Sequence, residues 1–229
     1  MTRRGRHWRQ LTLWLHVISS VGWMAQALAL ASLLTLALTT RDQALRVSAT
    51  SMANHLDITL LANLANVSAF TGFLLAAATP WGFFRHWWVL AKFAITVGQL
   101  YLGIFVLSGA LRGSVAAARA GAPLPSTLAV GAALMAGAIG FQGWLSIAKP
   151  WGRTPWAPQG SRGRTARLPT APDWVFAAAV LAPVVDLVAA ALLGRPTPVC
   201  CLLVLALRLS TRRRELRTAP VPEMSGVSP

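Results

Sequence analysis

Acidic side chains are scarce: six Asp and Glu stand against 21 Lys and Arg in 229 residues, a formal net charge of +15. Charged residues of all kinds make up 12% of the chain, against about 25% in a soluble domain. Hydrophobic residues reach 55%, and several apolar runs exceed the length of about 18 residues that a membrane helix needs. A soluble globular domain is excluded. The shortage of acids also removes paired carboxylates for general acid–base work. No nucleophile–base pair or phosphate loop takes their place, so no enzyme is expected. Only two cysteines occur, Cys200 and Cys201, adjacent in an apolar segment. Neighbouring cysteines rarely meet disulfide geometry with each other, and metal-ligand spacing is absent, so they read as small hydrophobes.

The apolar runs themselves organise the chain. Residues 1–10 form a basic head with four Arg, expected on the cytoplasmic side. Leu11–Leu38 then offers 28 residues, roughly 42 Å as a helix. A signal peptide also begins with a basic head, but the apolar run continues past Ala27, Ala29 and Ala31 and contains His16, which favours an uncleaved span. Arg41–Ser51 is polar and continues helically outside the membrane. Further spans are expected at about Asp57–Thr79, Trp87–Leu111 and Thr127–Ala148, the last with Ser126 as its N-cap. The core is thus 11–148, followed by a basic Gly- and Pro-rich cytoplasmic loop (149–171), hydrophobic segments over 172–211 and a disordered basic tail (212–229). Within the hydrophobic part, Trp174–Leu193 is long enough to span and Val199–Leu209 is short. The fold class expected is all-α: an integral membrane four-helix bundle plus a C-terminal hydrophobic hairpin.

Orientation follows from the placement of the basic residues. With the N-terminus in the cytoplasm, the head, the second-to-third turn and the stretch after the fourth span carry eleven Lys and Arg, against four in the two opposite loops. The expected location is the plasma membrane, multi-pass, with the N-terminus cytoplasmic. The lipid partner would be a bilayer with anionic headgroups. A membrane-protein partner or a homo-oligomer is also open. A nucleic-acid partner is not expected, because no aromatic-basic module stands outside the apolar segments.

Two turns are related. Thr79–Trp88, TPWGFFRHWW, breaks a helix at Pro80 and gathers Trp81, Arg85 and His86, side chains suited to a membrane surface. Seventy residues on, Lys149-Pro150-Trp151-Gly152-Arg153 repeats the Pro-Trp-Gly, and the same shift lays His16 on His86. Trp151 and Arg153 therefore join the candidate interface turn, with both turns on one face as parallel repeats.

Polar side chains inside spans point toward protein or water. His16, Ser20, Trp23 and Gln26 or Ala27 share one face of the first span, Thr59, Asn63 and Asn66 one face of the second, Lys92, Thr96 and Gln99 one of the third, and Gln142 falls in line with Met135 on the fourth. The candidate polar seam is His16, Gln26, Asn63, Asn66, Gln99 and Gln142. It glues helices together or lines a cavity for a small ligand. His16 is able to ligate haem or copper as a neutral imidazole, but His86 lies shallower and His55, with Met52 and Asp57, at the opposite surface. No metal ligand set or cofactor is assigned. Asp186, three residues after Pro183, is the candidate intramembrane acid, with proton carriage as its functional reading and Lys92 or Arg195 as possible partners.

Leu15-His16-Val17 with Ser19-Ser20-Val21-Gly22-Trp23, then TPWGFFRHWWVLAKF and Lys149-Pro150-Trp151-Gly152, resembles a family of small, uncharacterised multi-pass membrane proteins of actinobacteria, close to the DUF2269 type. The resemblance covers roughly residues 8–156. It implies a four-helix core in the plasma membrane with no assigned reaction. The Leu-His-Val followed by Trp is also similar to copper-resistance D-type membrane proteins, which implies copper handling. This chain lacks their second intramembrane His and Met-rich face. The function expected is a non-catalytic accessory or small-ligand-binding bundle, with a small-solute, copper or haem carrier using His16 and the polar seam as the alternative.

Overall fold

In hydrocarbon a long apolar run has to satisfy its N–H and C=O groups internally, and a helix does so within one segment. The computed structural model describes residues 3–79, 81–157 and 171–218, and among them holds six helices and no strand. These are α1 (Arg3–Thr39), α2 (Gln43–Ala78), α3 (Trp87–Arg119), α4 (Thr127–Ala148), α5 (Asp173–Leu193) and α6 (Val199–Thr218). The first five are long and apolar enough to cross a bilayer. The chain is an all-α, multi-pass membrane protein.

Helices α1 to α4 run up, down, up and down, each packing on the next and α4 returning to α1. The antiparallel order is visible in side-chain pairs. Asp57 of α2 meets Ser108 of α3, Lys92 of α3 meets Ser146 of α4, and Gly140 of α4 faces Met24 of α1. The core of this bundle is built from Trp23, Leu30, Leu34, Leu61, Met135 and Ile139, with alanines between them that let the helices approach. Helix α5 lies outside, against α1 and α2, and α6 against α2 and α5. A second apolar cluster of Phe70, Leu74, Val175, Phe176, Ala179 and Cys201 holds this outer pair. Thr12 adds a hydroxyl bond to the Phe176 carbonyl at 3.3 Å.

The long helices α2 and α3 each contain a π-helical segment, Asp57–Leu61 and Leu102–Leu107. Beyond these segments both helices continue as the polar halves Gln43–Leu56 and Ser108–Arg119, which pack on each other. Asp42 caps α2 by accepting from the Ala44 and Leu45 N–H groups, and Gln43 donates to the Ala118 carbonyl at 2.5 Å near the end of α3.

Several boundaries differ from the sequence reading. The basic head is not separate, because α1 starts at Arg3. The tail is not irregular from 212 on: α6 continues through Thr218, carrying Arg212–Arg214 with it. Ser126 occupies the N-cap position of α4 but makes no side-chain cap, its φ of −65° and ψ of −21° being already helical. Pro80, residues 158–170 of the basic loop and residues 219–229 lie outside the described residues.

Candidate functional site

The polar residues do not form one seam. They divide into separate sets, placed by which helix faces which.

Between α1 and α2, His16 Nδ1 lies 3.0 Å from the Ser68 carbonyl and 3.2 Å from Thr71 Oγ1. A carbonyl only accepts, and the Thr71 hydroxyl donates to the Val67 carbonyl at 2.7 Å. Nδ1 therefore carries the proton, and Nε2 the lone pair. Gly72 makes the seat: a Cβ there would stand 2.9 Å from His16 Cε1. Ser20 Oγ and Ser68 Oγ pair at 2.7 Å one turn further along. His16 is a helix-packing residue, half-buried and held by α2.

Between α3 and α4 the amides pair with each other. Thr96 donates to Gln142 Oε1 at 2.8 Å, Gln142 Nε2 to Gln99 Oε1 at 2.6 Å, and Gln99 Nε2 to the Met135 carbonyl at 3.0 Å. The terminal carbonyl fixes the direction of the chain, and each glutamine serves once as donor and once as acceptor. Lys92 extends the set by donating to Ser146 Oγ at 2.6 Å. Gln26, expected in the same seam, does not join it: its Oε1 is buried without a hydrogen-bond partner among the described residues.

Asn63 and Asn66 face neither set. With Asp186, Thr197 and Cys201 they line a cavity of about 20 Å³ between α2, α5 and the start of α6, the size of one water. Asn63 Nδ2 donates to the Thr59 carbonyl at 2.9 Å. Asp186 pairs with neither Lys92 nor Arg195. Its two oxygens accept the backbone N–H groups of Cys200 and Cys201 at 2.8 and 2.9 Å.

A fourth set corrects the surface position expected for Asp57 beside Met52 and His55, since Asp57 is buried between helices. Asp57, 7% exposed, accepts from Ser108 Oγ at 2.7 Å, joining the first residue of one π-helical segment to the residue that follows the other. It opens on a cavity of about 30 Å³ whose other walls are apolar, among them Leu30, Leu34, Leu107, Leu111 and Met135. Such segments are over-represented at functional positions.

The two Pro-Trp-Gly turns meet at the end of the bundle where α1 begins. His86 and Arg153 form an isolated antiparallel bridge, with the Thr154 N–H on the Arg85 carbonyl at 3.0 Å. Trp156 Nε1 and Thr154 Oγ1 both donate to the Phe84 carbonyl, at 2.8 and 2.5 Å. Trp81 packs edge-on against His86 and Trp88, and Lys149 Nζ lies 5.4 Å from the Trp81 ring centre. The turns are not geometric repeats, because Gly82 takes positive φ in the first and Lys149 and Trp151 in the second. Nor do the histidines correspond: His16 lies within α1, whereas His86 precedes α3 in extended backbone.

Among the described residues no group of three or more His, Cys, Asp or Glu gathers as a metal site. No family model, no curated protein and no solved structure matches this chain.

Proposed function

We propose that this is a non-catalytic bundle of the plasma membrane with its N-terminus in the cytoplasm, acting as an accessory or packing partner there, as its resemblance to the actinobacterial membrane family implies. The observation that carries the reading is the pairing of the α3–α4 amides with each other. A carrier would turn such groups toward a solute, whereas here they close a helix interface. The two cavities, about 20 and 30 Å³, admit water rather than a solute. Anionic headgroups suit the end where Arg85, Lys149 and Arg153 sit among exposed Trp81, Trp151 and Trp156.

The test is an absorption spectrum with metal analysis on protein purified in mild detergent, repeated for Gln99→Leu/Gln142→Leu. An accessory bundle gives a colourless, metal-free protein, and the double variant keeps its helicity and oligomeric state. A Soret band or stoichiometric copper lost in His16→Ala would overturn the reading in favour of a carrier.

A further inference from the structure

A helix that begins inside an apolar layer needs partners for its first N–H groups, since no water is there to take them. With α5 crossing such a layer from Asp173, helix α6 begins in that way. The thirteen residue steps from Asp173 to Asp186 climb about 20 Å along α5, and the start of α6 sits at the level of Asp186. That is about two-thirds of a hydrocarbon layer of about 30 Å. The thirteen residue steps from Val199 to Arg212 then bring the chain about 20 Å back toward the end where α1 begins.

The backbone account at this start is complete. Pro198 has no N–H. The Val199 N–H bonds the Thr197 carbonyl at 2.9 Å, Cys200 and Cys201 bond the two Asp186 oxygens, and the Leu202 N–H closes the first regular turn on the Pro198 carbonyl at 3.0 Å. The far end of α6 does the reciprocal service for α2. Arg212 donates to the carbonyls of Ala76 (3.0 Å) and Ala77 in the last turn of α2, and the Ala171 N–H takes Ala78. A cation there also complements the negative end of the helix dipole.

We infer that α6 is a short returning helix, latched at its buried start by Asp186 and at its outer end by Arg212, so that both ends of the chain lie on one side of the membrane. Asp186 then acts as a helix cap supplied by a neighbouring helix. With α6 returning, sixteen of the 21 Lys and Arg fall on the side of the N-terminus and five on the other. Without it, Arg208 and Arg212–Arg214 would face the wrong side.

The experiment uses full-length protein carrying a reporter at either end. Green fluorescent protein reports the cytoplasmic side and alkaline phosphatase the opposite one. The expected result is that both ends give the same reporter active, and that truncation after Leu193 reverses the C-terminal signal. Opposite reporters at the two ends of the intact chain would overturn the inference. Both ends reporting the non-cytoplasmic side would leave it standing while overturning the orientation proposed above. The latch has its own readout, amide hydrogen exchange of residues 199–202. Asp186→Leu is expected to speed it about tenfold or more, as for a docking loss of about 1.4 kcal/mol, and Arg212→Gln is expected to speed exchange at the other end of α6. Unchanged exchange in both variants would refute the latch.

Discussion

His16 and Gly72 offer the sharpest test of the bundle, because the two residues interlock. Gly72→Ala places a Cβ 2.9 Å from His16 Cε1, closer than such atoms approach. The imidazole is anchored through Nδ1 on Ser68 and Thr71 and cannot swing away without losing both contacts. Overpacking of this kind costs about 1–3 kcal/mol, offset in part by the gain of about 1 kcal/mol for alanine over glycine in a helix. His16→Ala alone loses a hydrogen bond between helices, about 0.6 kcal/mol on average, and leaves a partly filled gap, about 1–2 kcal/mol in all. In the double variant the clash is gone and the helix-propensity gain remains. The two changes should therefore fail to add by about 1–3 kcal/mol, the double variant being more stable than the sum of the singles. Reversible unfolding in mixed micelles, followed by circular dichroism, measures the cycle. Strict additivity of the two changes would refute the seat described for His16.

Three further expectations follow from single contacts. Gln99→Leu and Gln142→Leu should couple by about 0.6–1.7 kcal/mol in a second cycle, the range found between membrane helices; no coupling would mean that their 2.6 Å bond is not formed. Gly82→Ala should lose about 1–2 kcal/mol, since φ of +62° is costly for an L side chain and the new Cβ meets Arg85 at 3.3 Å; Gly98→Ala, with open space around it, is the control expected to be neutral or stabilising in the same unfolding assay. Ser108→Ala should cost about 1–3 kcal/mol by leaving the buried Asp57 without its donor, whereas Asp57→Leu/Ser108→Ala should recover part of the loss in thermal unfolding.

Much of the fold was legible because bilayer thickness and apolar run length are tied by one rise per residue. The spans around His16, Asn66, Gln99 and Gln142 all fall where their runs placed them. Faces were legible too: Thr96 and Gln99 do act together, as their helical spacing implied. What spacing does not contain is the rotation of each helix about its axis. Asn63 and Asn66 share a face, yet that face looks toward α5 and α6 rather than into the four-helix interior. Gln26 lies on the same side of α1 as Trp23 but finds no amide opposite. The π-helical segments carry no residue signature, so nothing marked Asp57 and Ser108 as neighbours. Asp186 was visible as an anomaly, but its partner was sought among charged side chains. A signal did exist in Gly194 and Pro198, which end one helix and start another within a few residues.

The two buried carboxylates show why an acid in an apolar segment has to be judged by its donors. Asp186 receives two N–H groups from a helix start, a geometry that stabilises α6 by satisfying the first donors of its buried end. Replacing it removes two acceptors at once, so its removal is felt first in the order of residues 199–202. Asp57 receives one hydroxyl from a neighbouring helix and faces an apolar cavity on its other side. It caps no helix start, and the π-helical turns on both sides of its bond hold the backbone away from regular i→i+4 pairing. The backbone geometry around Asp57 therefore has no structural reason of the kind that accounts for Asp186. By the rule that conserves hydrogen bonds in hydrocarbon, Asp186 belongs to the start of α6, and Asp57 with Ser108 fastens α2 to α3 beside an apolar cavity.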